Sequence, residues 1–295
     1  MESFDAARLV GRQVGSATLL EELARGSMGI VFEAYQHTLK RRIAVKVLPE
    51  DGADEEAVRL FTQEALAAAG LAHPHIVPVY EIGREPGFHW FSMPLIRGES
   101  LDRRLRRLAA HPVPGRRMLS AAEALAFLQQ VLEALDFAHR HGVVHRDVKP
   151  ANILLADGSL LPLLTDFGIA CLRRPGGEAL KTARGSPLYM APEQILEPAA
   201  DERVDVYAAG VLLFRLLVPE LPLIPHRSVE ELLVAKSTGK PVFTRRPSEV
   251  NPRLDREMDA LIAQATAFRR EERFASCRRF AEALARYERL HGRSC

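Results

Sequence analysis

His145-Arg146-Asp147-Val148-Lys149-Pro150-Ala151-Asn152, followed after an apolar run by Asp166-Phe167-Gly168, is the stretch on which the fold reading turns. Asp147, Lys149 and Asn152 fall within six residues, and a second acid, Asp166, comes fourteen positions after Asn152. Together they offer a base, a compact positive charge and two oxygen ligands for a hard divalent cation such as Mg²⁺. Those are the parts that phosphoryl transfer needs.

Upstream, the first hundred residues are rich in β-branched alternation. Residues 18–24 and 30–36 read as strands flanking the turn Arg25-Gly26-Ser27-Met28-Gly29, and residues 42–48 as a third strand. Further strands are expected at 76–82 and 88–93, with a helix over 54–69 closed by Gly70. Two charges look misplaced in this region. Lys46 shares a strand face with Ala44 and Leu48, and an unpaired ammonium there would be costly. Glu64 falls amid Ala57, Leu60, Phe61, Ala67, Ala68 and Leu71, the apolar positions of its helix. Opposite charges eighteen residues apart can cancel each other's desolvation as an ion pair. Gly26 and Gly29 lie in a hairpin rather than between a strand and a helix, which excludes the dinucleotide-binding reading, and no G-x-x-x-x-G-K-[ST] run exists. Glycines in such a turn let backbone N–H groups approach phosphate oxygens.

After Gly98 the pattern changes to apolar-periodic helices, notably 120–141, 205–217 and 257–267. Strands followed by helices predict an α+β protein with a small antiparallel-sheet lobe, residues 1–97, and a larger, mostly helical lobe, residues 98–295. The 295 residues, 47% hydrophobic and 26% charged, suit such a globular chain. A net charge of +2 argues against a dedicated nucleic-acid binder. Of 40 basic residues only six are lysine (Lys40, Lys46, Lys149, Lys181, Lys236, Lys240), the other 34 being arginine, so each lysine position invites the question why arginine was not used. The stretch Arg103, Arg104, Arg106, Arg107, Arg116 and Arg117 reads as a solvated helix face, with an acidic partner as the alternative. Cys171, Cys277 and Cys295 form no metal or redox pattern, and a reducing cytosol is expected. The longest apolar run, residues 206–214, is far short of the ~20 residues of a membrane span, so none is expected in this chain.

These motifs, in this order, resemble the eukaryotic-like (Hanks-type) protein kinases, and among them the bacterial serine/threonine kinases. The resemblance runs from about Val14 to Leu290 and includes Ala24-Arg25-Gly26-Ser27-Met28-Gly29-Ile30-Val31, Ala44-Val45-Lys46, Glu64, the catalytic loop, Asp166-Phe167-Gly168, Ala191-Pro192-Glu193, Asp205 and Arg273. It implies the bilobal kinase fold, with ATP and Mg²⁺ (or Mn²⁺) as cosubstrate and cofactor and protein serine or threonine hydroxyls as acceptors. Lys46 would hold the α- and β-phosphates and pair with Glu64. Asp147 would receive the acceptor's proton, Lys149 would neutralise the transferring γ-phosphoryl, and Asn152 and Asp166 would bind the metal. Adenine would lie among Val31, Ala44 and Leu154, with Met93 at the back and Pro94 and Ile96 in the hinge. Glu193 with Arg273, and Asp205 beneath the catalytic loop, would be structural. Thr182 and Ser186 are the candidate phosphosites, with Arg146 as receiver for Thr182 and autophosphorylation in trans through a transient dimer. The chain would be cytoplasmic, alone or as the cytoplasmic part of a longer membrane protein. Two departures stand out: Ala24 where the first loop glycine is expected, and Pro94 where an acid is usual. They are the only features that favour a non-catalytic binding module.

Overall fold

The computed structural model describes residues 6–26, 29–51, 53–167, 187–196 and 201–291. It divides into two compact units, residues 1–97 and 98–295.

The first unit is built on a six-stranded antiparallel sheet in the order β1-β2-β3-β4-β6-β5, formed by β1 (Gln13–Val14), β2 (Ala17–Gly26), β3 (Gly29–Gln36), β4 (Arg41–Pro49), β5 (Glu81–Glu85) and β6 (Phe88–Pro94). Register decides what each face carries. Ile30↔Val47, Phe32↔Val45 and Ala34↔Ile43 pair on one face, which closes with Leu9, Val14, Leu19, Phe88 and Trp90 into a dry core. On the other face one row runs Ala24–Val31–Lys46–Phe91, and the next carries Glu33–Ala44–Met93. Because side chains alternate along a strand, this single register gathers Val31, Ala44, Lys46 and Met93 onto one surface.

Helix α1 (Glu55–Ala69) packs there. Asp54 caps it by accepting from the Ala57 N–H at 2.8 Å, Glu55 and Glu56 complement its dipole, and Gly70 ends it. Ala57, Leu60, Phe61, Glu64, Ala65 and Ala68 are its buried residues, whereas Ala67 is half-exposed. The expected strand at 76–82 is corrected: the strand begins only at Glu81. Ile76 and Val77 are buried by their side chains, and Pro78 has no N–H to give a ladder.

The second unit is mostly helical: α2 (Leu101–Ala109), α3 (Ala121–Arg140), α4 (Pro192–Leu196), α5 (Arg203–Leu217), α6 (Val229–Ser237), α7 (Pro247–Val250), α8 (Arg256–Ala265) and α9 (Cys277–His291). Ser120 and Glu123 form a reciprocal capping box that starts α3. At the centre lies α5, thirteen of whose fifteen residues are buried. Packing against α8 is close enough that a Cβ on Gly210 would sit 2.6 Å from that of Ala265. A small antiparallel sheet of β7 (Gly98–Ser100), β8 (Ile153–Ala156) and β9 (Pro162–Leu164) was not anticipated, since strands of three or four residues carry too little alternation to register.

Among the described residues one helical segment, Pro114–Arg140, is long and apolar enough to cross a membrane by length and composition. Half of that window is buried, and Leu125, Leu128, Val131, Leu132 and Leu135 of α3 are enclosed in the helical core.

Candidate active site

In the second unit the catalytic-loop residues converge through the short sheet. Ile153 pairs with Leu164 across the β8–β9 hairpin, and the next rung is completed by the Thr165 N–H donating to the Asn152 carbonyl at 3.0 Å. Asn152 enters the hairpin and Asp166 leaves it, so two oxygen-bearing side chains fourteen residues apart are held at its open end. The Asn152 amide N–H₂ donates to the Asp147 carbonyl at 3.0 Å and to Asp147 Oδ2 at 2.9 Å. That spends both amide donors, and no described residue donates to the Asn152 Oδ1. Lys149 Nζ donates to the same Asp147 Oδ2 at 2.6 Å, and no described residue donates to Asp147 Oδ1.

The loop backbone is held from below. Asp205 on α5, fully buried, accepts the His145 N–H at Oδ2 and the Arg146 N–H at Oδ1, both at 2.8 Å. His139 Nε2 lies 2.7 Å from the same Oδ2. Burial works to raise the Asp205 carboxyl, but the hydrogen bond and charge of His139 with the His145 N–H hold it below the usual carboxylate range. Burial likewise opposes protonation of His139, and the Asp205 carboxylate overrides it, so the imidazole is raised above 6.5.

Arg146 and Asp166 adopt left-handed backbone, φ 64° and 55°, a conformation costing on the order of 1–3 kcal/mol for non-glycine residues. At Arg146 the surroundings compensate: Asp205 takes its N–H, and Gln194 Nε2 donates to its carbonyl at 2.9 Å. Phe167 is buried with its ring 4.6 Å from that of His145, tying the residue after Asp166 to the loop. Leu154 is half-exposed, on the face of β8 opposite buried Ile153 and Leu155.

In the first unit Lys46 Nζ donates to Glu64 Oε1 at 2.7 Å, both side chains being less than a tenth exposed, and lies 5.6 Å from the centre of the Phe91 ring. The two misplaced charges are thus one buried ion pair. Ala44 and Met93 are buried beside them, while Val31, Pro94 and Ile96 are half-buried and Ala24 is exposed. The two loop glycines differ. Gly29 has φ 127°, and a Cβ on it would sit 2.4 Å from the Val47 carbonyl oxygen; at Gly26 the nearest atom would be 3.9 Å away. Folding itself therefore demands glycine at 29 but not at 26. Glu193 and Arg273 form a buried two-pronged pair at 2.6 and 2.7 Å.

A family model described as protein kinase domain matches residues 17–285. The chain belongs to the protein kinase domain family. This kinase domain is 38% identical over 271 residues to the serine/threonine-protein kinase PknJ of Mycobacterium tuberculosis, a match covering 89% of the chain. It is 37% identical over 275 residues, 92% of the chain, to PknD of the same organism. The domain spans 44% of the length of PknJ and 40% of that of PknD. The crystal structure of the Mycobacterium tuberculosis PknI kinase domain superposes with a TM-score of 0.71 at 30% identity, covering 94% of this chain and 98% of that one.

Gly168, Thr182 and Ser186 of the kinase domain lie outside the described residues. The basic stretch at α2 is partly paired: Glu99 takes Arg104 and Arg107 at 2.7 Å, and Asp102 takes Arg106. Three contacts escaped the sequence reading. His139 and Gln194 brace the loop from neighbouring helices, and Lys236 donates to the carbonyls of Pro187 and Leu188. Lys236 could have been found by the reasoning that flagged Lys46, since it follows Leu232, Leu233 and Ala235 on an apolar helix face.

Proposed function

We propose that this kinase domain transfers the γ-phosphoryl group of ATP to serine or threonine hydroxyls of proteins. The observation that carries the reading is Asp147, whose Oδ2 is engaged by Lys149 at 2.6 Å and Asn152 at 2.9 Å, while no described residue engages Oδ1, the oxygen proposed to meet an incoming hydroxyl. Asp147 orients that hydroxyl and accepts its proton as the acceptor oxygen bonds to the γ-phosphorus and the bond to the β-phosphate oxygen breaks, releasing ADP. Lys149 meets the charge on the transferring group, and Lys46, aligned by Glu64, takes the α- and β-phosphates.

The donor set fits a hard divalent ion. No cluster of three or more His, Cys, Asp or Glu side chains suited to a metal occurs among the described residues, and one carboxylate (Asp166) with one amide oxygen (Asn152) is a sparse pair that suits Mg²⁺ shared with phosphates. When bound, Mg²⁺, or Mn²⁺ in its place, neutralises phosphate charge. In the first unit Val31, Ala44 and Met93 offer apolar surface of the kind adenine needs, and Pro94, although it lacks an N–H, retains its carbonyl, while Ile96 has the N–H; in the second unit Leu154 offers an apolar side chain of its own. Ala24 then alters nucleotide affinity rather than abolishing transfer.

Acceptor preference follows from Lys149 two residues after Asp147 and from the Gly185-Ser186-Pro187-Leu188-Tyr189-Met190 segment, both of serine/threonine type. The similarity to PknJ and PknD, both named serine/threonine-protein kinases, supports the same class. Thr182 is the proposed autophosphorylation site, its phosphate received by Arg146, with a second copy of the chain as the acceptor. A cytoplasmic setting, alone or as part of a longer protein, suits the demand for ATP and the buried free thiol of Cys277.

Incubation with γ-labelled ATP, Mg²⁺ and a generic basic protein tests the reading. Label should enter the acceptor and the chain itself, with peptide mapping finding it at Thr182, and Asp147→Asn should lower incorporation by at least about a hundredfold. Equal incorporation by parent and variant would sink the enzyme assignment, and label only outside residues 169–190 would sink the phosphosite.

A further inference from the structure

Lys236 on α6 is a buried basic side chain with no counter-ion among the described residues. Its residue is 2% exposed, it follows buried Leu232, Leu233 and Ala235, and among the described residues no carboxylate lies within ion-pair distance of it. The nearby Glu193 carboxylate is already taken on both oxygens by Arg273. What Nζ meets instead is backbone: the Pro187 carbonyl at 2.9 Å, the Leu188 carbonyl at 2.6 Å, and the face of the Tyr207 ring at 4.9 Å from its centre. Burying an ammonium against neutral groups costs more than burying a leucine or methionine of similar size. A chain with only six lysines keeps one here. The carbonyls it binds belong to the segment that leads through Tyr189 into Ala191-Pro192-Glu193, whose far end α4 holds.

We propose that Lys236 is a positioning residue for the protein acceptor, its side chain holding the Pro187–Leu188 backbone in the shape that docks the polypeptide carrying the target hydroxyl. The inference rests on the serine/threonine kinase reading and adds to it a residue that touches neither nucleotide nor metal. Arginine would not serve as well, because two adjacent carbonyls and a ring face within 5 Å suit a compact head with three diverging donors rather than a planar fork.

The same arrangement makes docking sensitive to pH. Burial, and then the charge of Arg273, lower the Lys236 pKa to about 7, with Glu193 opposing. Around the ammonium stand Arg273, Glu193 and Tyr207, and Lys240 shares with it a cavity of about 290 Å³ that is also lined by Pro192 and Phe268. That cavity offers a route for proton exchange. Below about pH 7 the head is an ammonium and both bonds are charge-assisted. As pH rises through that value it becomes an amine with two N–H groups, still able to reach both carbonyls but holding them more weakly.

Steady-state kinetics between pH 6 and 8.5, with acceptor protein and ATP varied separately, test the proposal. The KM for the acceptor should rise about three- to tenfold across the window while the KM for ATP stays level. In Lys236→Met the acceptor KM should be raised at every pH and lose its step. Should that variant fail to fold, ¹⁵N NMR of the parent's six lysine side chains should find Lys236 titrating near 7, with amide exchange at residues 188–190 quickening over the same range. A level acceptor KM in the parent, a Lys236 signal titrating above pH 9, or unchanged exchange at residues 188–190 would each overturn it. If no acceptor is phosphorylated at any pH the kinase reading fails, and the titration and exchange measurements still decide whether the lysine clamps its segment.

Discussion

Gly26 and Gly29 close one hairpin under opposite constraints. At Gly29 the backbone is left-handed and a methyl group would overlap the Val47 carbonyl, so Gly29→Ala is expected to cost about 1–3 kcal/mol, read as a lowered thermal midpoint. At Gly26 nothing in the fold opposes a methyl. Gly26→Ala should therefore melt with the parent yet raise the KM for ATP several-fold, because the remaining reason for glycine there is the approach of phosphate oxygens. An unchanged KM would remove Gly26 from the nucleotide site. A motif names both glycines alike; only the register of β3 against β4 separates the one that folding needs from the one proposed for binding.

Helix α5 anchors the catalytic loop, and it does so through a pair whose charges depend on pH. His139 is raised in the folded state, so its contribution is fully present below about pH 6.5 and is lost as pH rises through the folded-state value. Asp205 is lowered, so its contribution is present above about pH 3.8 and is lost as pH falls through its depressed value. Urea midpoints measured from pH 5.5 to 8.5 for the parent and His139→Gln should differ most at the acid end and converge toward the alkaline end; a constant difference would show that the imidazole does not titrate against Asp205. Neither brace was legible in the sequence beyond the acid itself, because the three residues that meet Asp205 come from a different helix and the loop that follows it. The elements were legible where the apolar period was clear, as in β2, β3, β4 and α5, and most of all where a cap agreed with it, as in α1 and α3. They were not where apolar content misled. Ile76, an isolated bridge residue, and Val77 are buried outside any strand beside Pro78, and β7, β8 and β9 are too short to show a period. Residue types in the site could be named from the motifs, but the hairpin that brings Asn152 to Asp166 could not.

Taken whole, the chain carries a complete local device in each of its two units: the Lys46–Glu64 pair in the first, and Asp147, Lys149, Asn152 and Asp166 in the second. Arginine covers the surface, much of it in near-neighbour pairs such as Arg59–Glu56 and Arg278–Glu282. Of the lysines, Lys46, Lys149 and Lys236 each bring a small charged head to oxygen atoms in a confined space, whereas Lys40 and Lys240 are exposed. Lys46→Arg and Lys149→Arg should each reduce kcat/KM by about a hundredfold or more, whereas Lys40→Arg, at an exposed turn, should leave it within about twofold. Comparable losses at all three positions would mean that the scarcity of lysine carries no information. The β8–β9 hairpin has a bearing on how such a chain can diverge. Its open end carries Asn152 and Asp166, the two residues proposed to meet the cation, while its closed end is formed around exposed Asp157, Gly158 and Leu161. Insertions and drift can accumulate at that tip across lineages, or a tag be grafted there, without shifting the two donors by a rung.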